Sequence, residues 1–203
     1  GKRKQTPETV DYRQPRANGR TGQNKLSHPT TDHHTQAKRH YRKHFRITFL
    51  TDTMTRTINL IVIHCTASRC TSTLTPEALD AEHRRRGFNG CGYHYYITRN
   101  GEVHPMREIS RIGAHTQKYN AHSIGIAYEG GLNASGQPAD TRTPEQKQTL
   151  TALLRQLRNA YPAARICGHR DLSPDLNGNG FIEPQEYIKM CPCFNASNEY
   201  AAL

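Results

Sequence analysis

One segment constrains this chain more than any other: Ile58-Asn59-Leu60-Ile61-Val62-Ile63, a mostly β-branched apolar run closed by a polar residue, His64. Such a run reads as a buried strand. The elements that follow are legible from their punctuation. Thr75-Pro76-Glu77 opens a helix with Thr as N-cap and Pro in the first turn; it runs to about Arg86 and stops at Gly87. Tyr93 to Thr98 reads as a strand, Asn100-Gly101 as a hairpin turn, and Val103 to Met106 as the returning strand. Ile124 to Tyr128 is a further strand, ended by Gly130-Gly131, and Leu132 to Arg142 a polar loop. Thr143-Pro144-Glu145-Gln146 is a capping box, and Leu150, Leu153, Leu154 and Leu157 give its helix one apolar face. Arg165 to Cys167 is a short strand ending at Gly168-His169. Strands alternate with helices, so an α/β domain is expected, a central mixed β-sheet flanked by helices.

The first quarter of the chain has none of this patterning. Residues 1–53 carry 12 of the 28 Lys and Arg but only four of the 17 acids, so most of the net charge of +11 sits there. Almost no apolar periodicity is present, and such a segment buries too little surface to offset an ordering cost of ~1–2 kcal/mol per residue. It reads as a basic, poorly structured tail (1–53) before a domain spanning 54–203. Met54 stands where the domain begins and is a candidate natural start. The tail could attract an anionic polymer, but its aromatics are few, so nucleic acid is not the expected partner. His33 and His34 offer at most an adventitious metal contact. No apolar run approaches the ~20 residues of a membrane span.

Three segments carry chemistry. His64 ends the first strand, His169 follows another in Gly168-His169-Arg170-Asp171, and Cys191 follows a short expected helix in Lys189-Met190-Cys191-Pro192-Cys193-Phe194. Strand ends hold functional side chains on rigid backbone. Two His and one Cys make a three-ligand set with an open fourth position, the format of catalytic zinc, which lowers the pKa of a bound water to ~7. Spacing alone leaves open that these are capping or core residues. The other cysteines, 65, 70, 91, 167 and 193, read as small packing residues, with a Cys70–Cys91 disulfide as an alternative.

Taken in order, I-V-I-H-C-T-A, G-Y-H-Y-Y-I-T-R-N-G, G-A-H-T-Q-K-Y-N, H-S-I-G-I, G-H-R-D and K-M-C-P-C-F resemble the amidase-2 family over residues 56 to 195. This is the phage-lysozyme-type N-acetylmuramoyl-L-alanine amidase and peptidoglycan-recognition-protein superfamily. The resemblance implies a zinc cleft at one sheet edge with His64, His169 and Cys191 as ligands. It implies Tyr93 as hydrogen-bond donor to the reacting water or tetrahedral intermediate, and Lys189 as the oxyanion-stabilising charge. His115 and Asn120 would position the muropeptide. The reaction implied is zinc-dependent hydrolysis of the amide between N-acetylmuramic acid and L-alanine, by a monomer acting at the bacterial cell wall. The alternative is a recognition module that binds peptidoglycan without cutting it; such members typically lack the metal Cys, which is present here. Some relatives place a Glu directly after S-I-G-I. Here Ala127 stands there, and Glu129, on the same strand face by alternation, is a weaker candidate base.

A second motif lies between two of these ligands. Residues Asp175 to Glu186 fit D-x-[DN]-x-[DN]-G-x5-E without a gap. Asp175, Asn177, Asn179 and Glu186 would give side-chain oxygens to calcium and Phe181 a backbone carbonyl, with Gly180 at the sharp turn. The competing reading is an Asn-Gly-rich turn.

Overall fold

The computed structural model describes residues 56–203. The tail, Met54 and the His33-His34 pair lie outside them. The expected mixed sheet is present. Five strands, β1 (Leu60–Cys65), β3 (Tyr95–Ile97), β4 (Val103–Pro105), β5 (Ser123–Tyr128) and β7 (Arg165–Gly168), lie in the order β4-β3-β5-β1-β7. β1 runs parallel to both neighbours, β5 and β7, β3 runs parallel to β5, and β4 returns antiparallel to β3. All six residues of β1 are buried, as a continuous apolar run requires of a central strand. A pairing that the sequence reading did not anticipate adds a small second sheet, β2 (Ser68–Arg69) against β6 (Gly131–Leu132).

Two helices are held by the caps their sequences announce. In α1 (Pro76–Arg85) the Thr75 hydroxyl accepts from Ala78 N at 3.2 Å, and Gly87 leaves the helix at φ 87°, a left-handed conformation that suits glycine. In α2 (Pro144–Ala160) the capping box closes in both directions: Gln146 N donates to Thr143 Oγ1 and Thr143 N to Gln146 Oε1. Such a cap contributes ~1 kcal/mol. Leu150, Leu153, Leu154 and Leu157 are fully buried, each adding ~1.5–3 kcal/mol of apolar transfer. Gln146 also docks α2 on the sheet, its Nε2 donating to Ile97 O and Glu129 O. A four-residue helix, α3 (Ala196–Glu199), closes the chain.

The segment before Cys191 differs from expectation. It holds a single 3-10 turn, Pro184–Glu186, followed by non-helical chain. Glu186 folds back to accept from Glu183 N with one oxygen and from Leu176 N and Asn177 N with the other, so side-chain bonds close the segment instead of a helical ladder. Tyr93 likewise lies just before β3 rather than in it.

Candidate metal centre

The parallel register of β1 and β7 builds the site. Ile63 pairs with Gly168, so the residues that follow, His64 within β1 and His169 just past β7, lie side by side at the carboxyl edge of the sheet. Their rings meet edge-on with centroids 4.7 Å apart. Cys191 arrives from a loop that packs on the same corner. Arg170 N donates to Cys191 O at 2.8 Å, and Tyr128 hydroxyl to Pro192 O at 2.6 Å. Gly168 lets this loop approach: a Cβ there would sit 2.5 Å from Pro192 Cδ. One donor atom from each of His64, His169 and Cys191 then falls within 4.8 Å of the others.

The donor set fits zinc. Cys191 Sγ lies 3.8 Å from His64 Nδ1, where bond lengths of ~2.3 and ~2.0 Å in a tetrahedron predict about 3.5 Å. Cys65 N donates to Cys191 Sγ at 3.2 Å, stabilising negative charge on that sulfur. Burial, then the charges of His115, His169 and Lys189, hold His64 well below its ordinary pKa. Burial, then Lys189, lowers His169 to about 4. Both imidazoles are therefore neutral near pH 7, with lone pairs free for a metal.

The opposite face of His64 is also supported. Its Nε2 lies 3.0 Å from His115 Nδ1 and 3.4 Å from Thr116 Oγ1. If Nδ1 faces the metal, Nε2 carries the proton and donates to His115 Nδ1, and His115 Nε2 then donates to Ser123 Oγ at 3.3 Å. Neutral His115 is what this chain needs, and burial followed by neighbouring positive charge holds it well below its usual pKa. Asn120 fixes the loop under it, its Oδ1 accepting from both His115 N and Thr116 N. Gly113 and Gly125 make room for the ring: a Cβ on either would meet His115 Cδ2 at 2.6 and 2.5 Å.

Tyr93 lies tilted against the site, its ring centroid 5.1 Å from His64 and 6.5 Å from His115, and burial pushes its phenol above the ordinary pKa. Lys189 is exposed and close enough for its charge to depress both His64 and His169. Glu129 is not free to act as a base. It is 1% exposed, and its two oxygens accept from Leu74 N and Arg99 N at 2.8 and 2.9 Å. His94 is structural, accepting from Gly125 N through Nδ1, while His122 meets Tyr119 edge-on in the 3-10 turn that carries Asn120. Two arginines that sequence reasoning passed over shape the surroundings. Arg56 donates to the carbonyls of Ile109, Asn120 and Ser123, tying down the loop that carries His115. Arg142, buried, pairs with Asp140 and Glu199 and lies 3.2 Å from the Phe194 ring centroid, anchoring the chain beyond Cys193. Neither belongs to a periodic pattern that would have marked it.

The family profile described as N-acetylmuramoyl-L-alanine amidase matches residues 54–180. The chain belongs to that family. The matched stretch contains His64 and His169 but ends before Lys189 and Cys191, which the fold brings near the two histidines. An uncharacterized protein of Haemophilus influenzae is 50% identical over 95 residues, 47% of this chain and 82% of its own length. The endolysin of Enterobacteria phage K11 is 32% identical over 133 residues, 66% of this chain and 79% of the endolysin. Among solved structures, the N-acetylmuramoyl-L-alanine amidase LysC from Clostridium intestinale aligns with a TM-score of 0.55 at 30% identity, covering 71% of this chain and 83% of LysC. Bumblebee peptidoglycan-recognition protein SA shares the amidase fold at 21% identity and TM-score 0.53, covering 72% and 86%.

Proposed function

We propose that this peptidoglycan amidase is zinc-dependent and cuts the amide between the lactyl group of N-acetylmuramic acid and the first L-alanine of the stem peptide. The observation that carries the reading is the convergence of His64, His169 and Cys191 at one corner of the sheet in a chain of the amidase family. Those three residues would hold the ion, which when bound supplies Lewis acidity toward the scissile carbonyl and makes water a usable nucleophile at neutral pH.

The protein's own groups do the rest. His115 keeps His64 in the tautomer that offers Nδ1, and Asn120 holds His115, so both act as positioning residues whatever contact they also make with the muropeptide. The phenol of Tyr93 stays protonated and donates a hydrogen bond to the reacting oxygens. The ammonium of Lys189 meets the negative charge that develops on the carbonyl oxygen, where preorganised charge is most effective. Water adds its hydroxyl to the carbonyl carbon, and its proton leaves on the amine of L-alanine. A module that binds peptidoglycan without cutting it is the rival reading; Cys191 beside two histidines favours hydrolysis.

The test is release of stem peptide from purified peptidoglycan. Wild type should expose new L-alanine amino termini, lose activity to a chelator and regain it with zinc, and Cys191→Ala should stay inactive with zinc present. Binding of the polymer by wild type without product would leave a recognition module.

Calcium in the loop 175–186 is a second, structural cofactor in this reading; Glu186, whose oxygens accept from the amides of Leu176, Asn177 and Glu183, would have to exchange those bonds for the ion. Asp175 accepts from Gly178 N and Gly180 N, Asn177 Oδ1 from Asn179 N, and Asn179 Oδ1 from Phe181 N, winding the loop about its oxygen-bearing side chains. Gly180, at φ 84°, occupies the left-handed position the motif assigns to glycine. The loop joins His169 to Lys189 and Cys191, so its ordering would bear on the zinc site.

A further inference from the structure

Two thiols beside the metal centre belong to neither its ligands nor its proton-transfer groups. Cys65 follows the ligand His64, and Cys193 stands two residues after the ligand Cys191. Their sulfurs are 3.9 Å apart, although the residues are separated by most of the domain, and all six cysteines are unbridged. The pocket around the pair is made by a glycine. Cys193 Sγ donates to Gly131 O at 3.2 Å, and a Cβ on Gly131 would lie 2.4 Å from Cys65 Sγ.

The backbone on both sides is fixed. Cys65 ends the central strand β1, paired with Tyr128 of β5. Cys193 holds φ 70°, a conformation uncommon for a residue with a side chain, and its N donates to Met190 O at 2.7 Å. A disulfide needs its sulfurs at about 2.05 Å. The two sulfurs must close from 3.9 Å by rotation of their side chains, and Gly131, which has no Cβ, leaves Cys65 Sγ room beside its backbone.

We propose that Cys65 and Cys193 form a disulfide site, closed under oxidising conditions, that ties β1 to the Cys191 loop without consuming a metal ligand. The oxidant is a small-molecule disulfide or a thiol oxidase. The thiolate of Cys193 attacks one sulfur of the disulfide RSSR and releases RS⁻. The thiolate of Cys65 then attacks the Cys193 sulfur of the mixed disulfide and releases the second RS⁻. Two electrons pass to the oxidant, and the two protons end on the released thiols. The bridge itself requires no metal; its expected effect on metal retention rests on the zinc reading. Because the half-cystines lie one and two residues from His64 and Cys191, the closed bridge restrains the spacing of those ligands and slows metal escape.

The experiment uses the full chain, prepared reduced with zinc and then equilibrated with oxidised and reduced glutathione. Peptide mapping without reductant should find Cys65 joined to Cys193, and the thiol titre in denaturant should fall from six to four. Zinc should stay bound and pass to a competing chelator several-fold more slowly than from the reduced chain. Tm should rise on the order of 5–10 °C. Cys193→Ser, or Cys193→Ala if serine disturbs the loop, should keep wild-type activity when reduced and lose all difference between the two conditions. Six persistent thiols, or a bridge that includes Cys191 and expels zinc, would overturn the proposal. A Cys65–Cys193 bridge in a chain that takes up no zinc in either state would uphold the bridge and bring down the metal reading instead.

Discussion

Replacing Gly125 by alanine tests whether the hydrogen bond behind His64 matters. The new Cβ would stand 2.5 Å from His115 Cδ2, 2.6 Å from Cγ and 2.8 Å from Nδ1. Carbon atoms in contact settle at ~3.5–4.0 Å, so the ring must retreat by about 1 Å. The 3.0 Å separation between His115 Nδ1 and His64 Nε2 then stretches toward ~4 Å, beyond a hydrogen bond. Overpacking of this kind costs ~1–3 kcal/mol, or roughly 3–10 °C in Tm for a domain of this size. Losing a partner of a metal-bound imidazole costs ~10–100-fold in metal affinity. Zinc competition with a fluorescent chelator measures the second effect, and calorimetry the first. The zinc penalty should recur in His115→Ala, which removes the bond without adding a Cβ. A folded Gly125→Ala protein that binds zinc as tightly as wild type would refute the orienting role of His115.

Three further outcomes follow from particular contacts. His94 is buried and lowered to about 4 from the usual 6.5, by burial first, so between these values the unfolded chain binds the extra proton. Its contribution is therefore full above pH 6.5 and lost as pH falls toward 4. His64, His115 and His169 are depressed too and add losses of the same sign, so the His94 share is a difference: urea titrations of the chelated protein should show about 2–4 kcal/mol more loss across that window in wild type than in His94→Asn, and equal losses would contradict it. Arg142→Ala removes a buried guanidinium from Asp140 and Glu199, whose side chains are 29% and 40% exposed and can be rehydrated, so it should cost ~1–3 kcal/mol by denaturant unfolding, whereas no measurable loss would mark the cluster as marginal. Millimolar calcium, with zinc held constant, should raise Tm in wild type and not in Asp175→Ala; an unchanged wild-type melting curve would remove calcium from the loop.

Local pattern alone determined a good part of this protein. The apolar run of β1, the Thr75 and Thr143 caps and the leucine stripe of α2 are governed by backbone dihedrals and side-chain periodicity, which act over a few residues. The ligand candidates were legible because a polar residue ending a buried strand is conspicuous, as at His64 and His169. Short-range pattern carries no information about which distant segments meet. The Ile63–Gly168 register that sets His64 beside His169 is decided by pairing across more than a hundred residues, and the seat of the Cys191 loop on Gly168 by packing across a further two dozen. The same holds for the His115 bond to His64, the two backbone amides that occupy Glu129, and the Gly131 pocket that brings Cys65 to Cys193. Sequence supplied residues able to do the chemistry; only the tertiary structure, by burying them together where each must find a partner, selected which of them face one another.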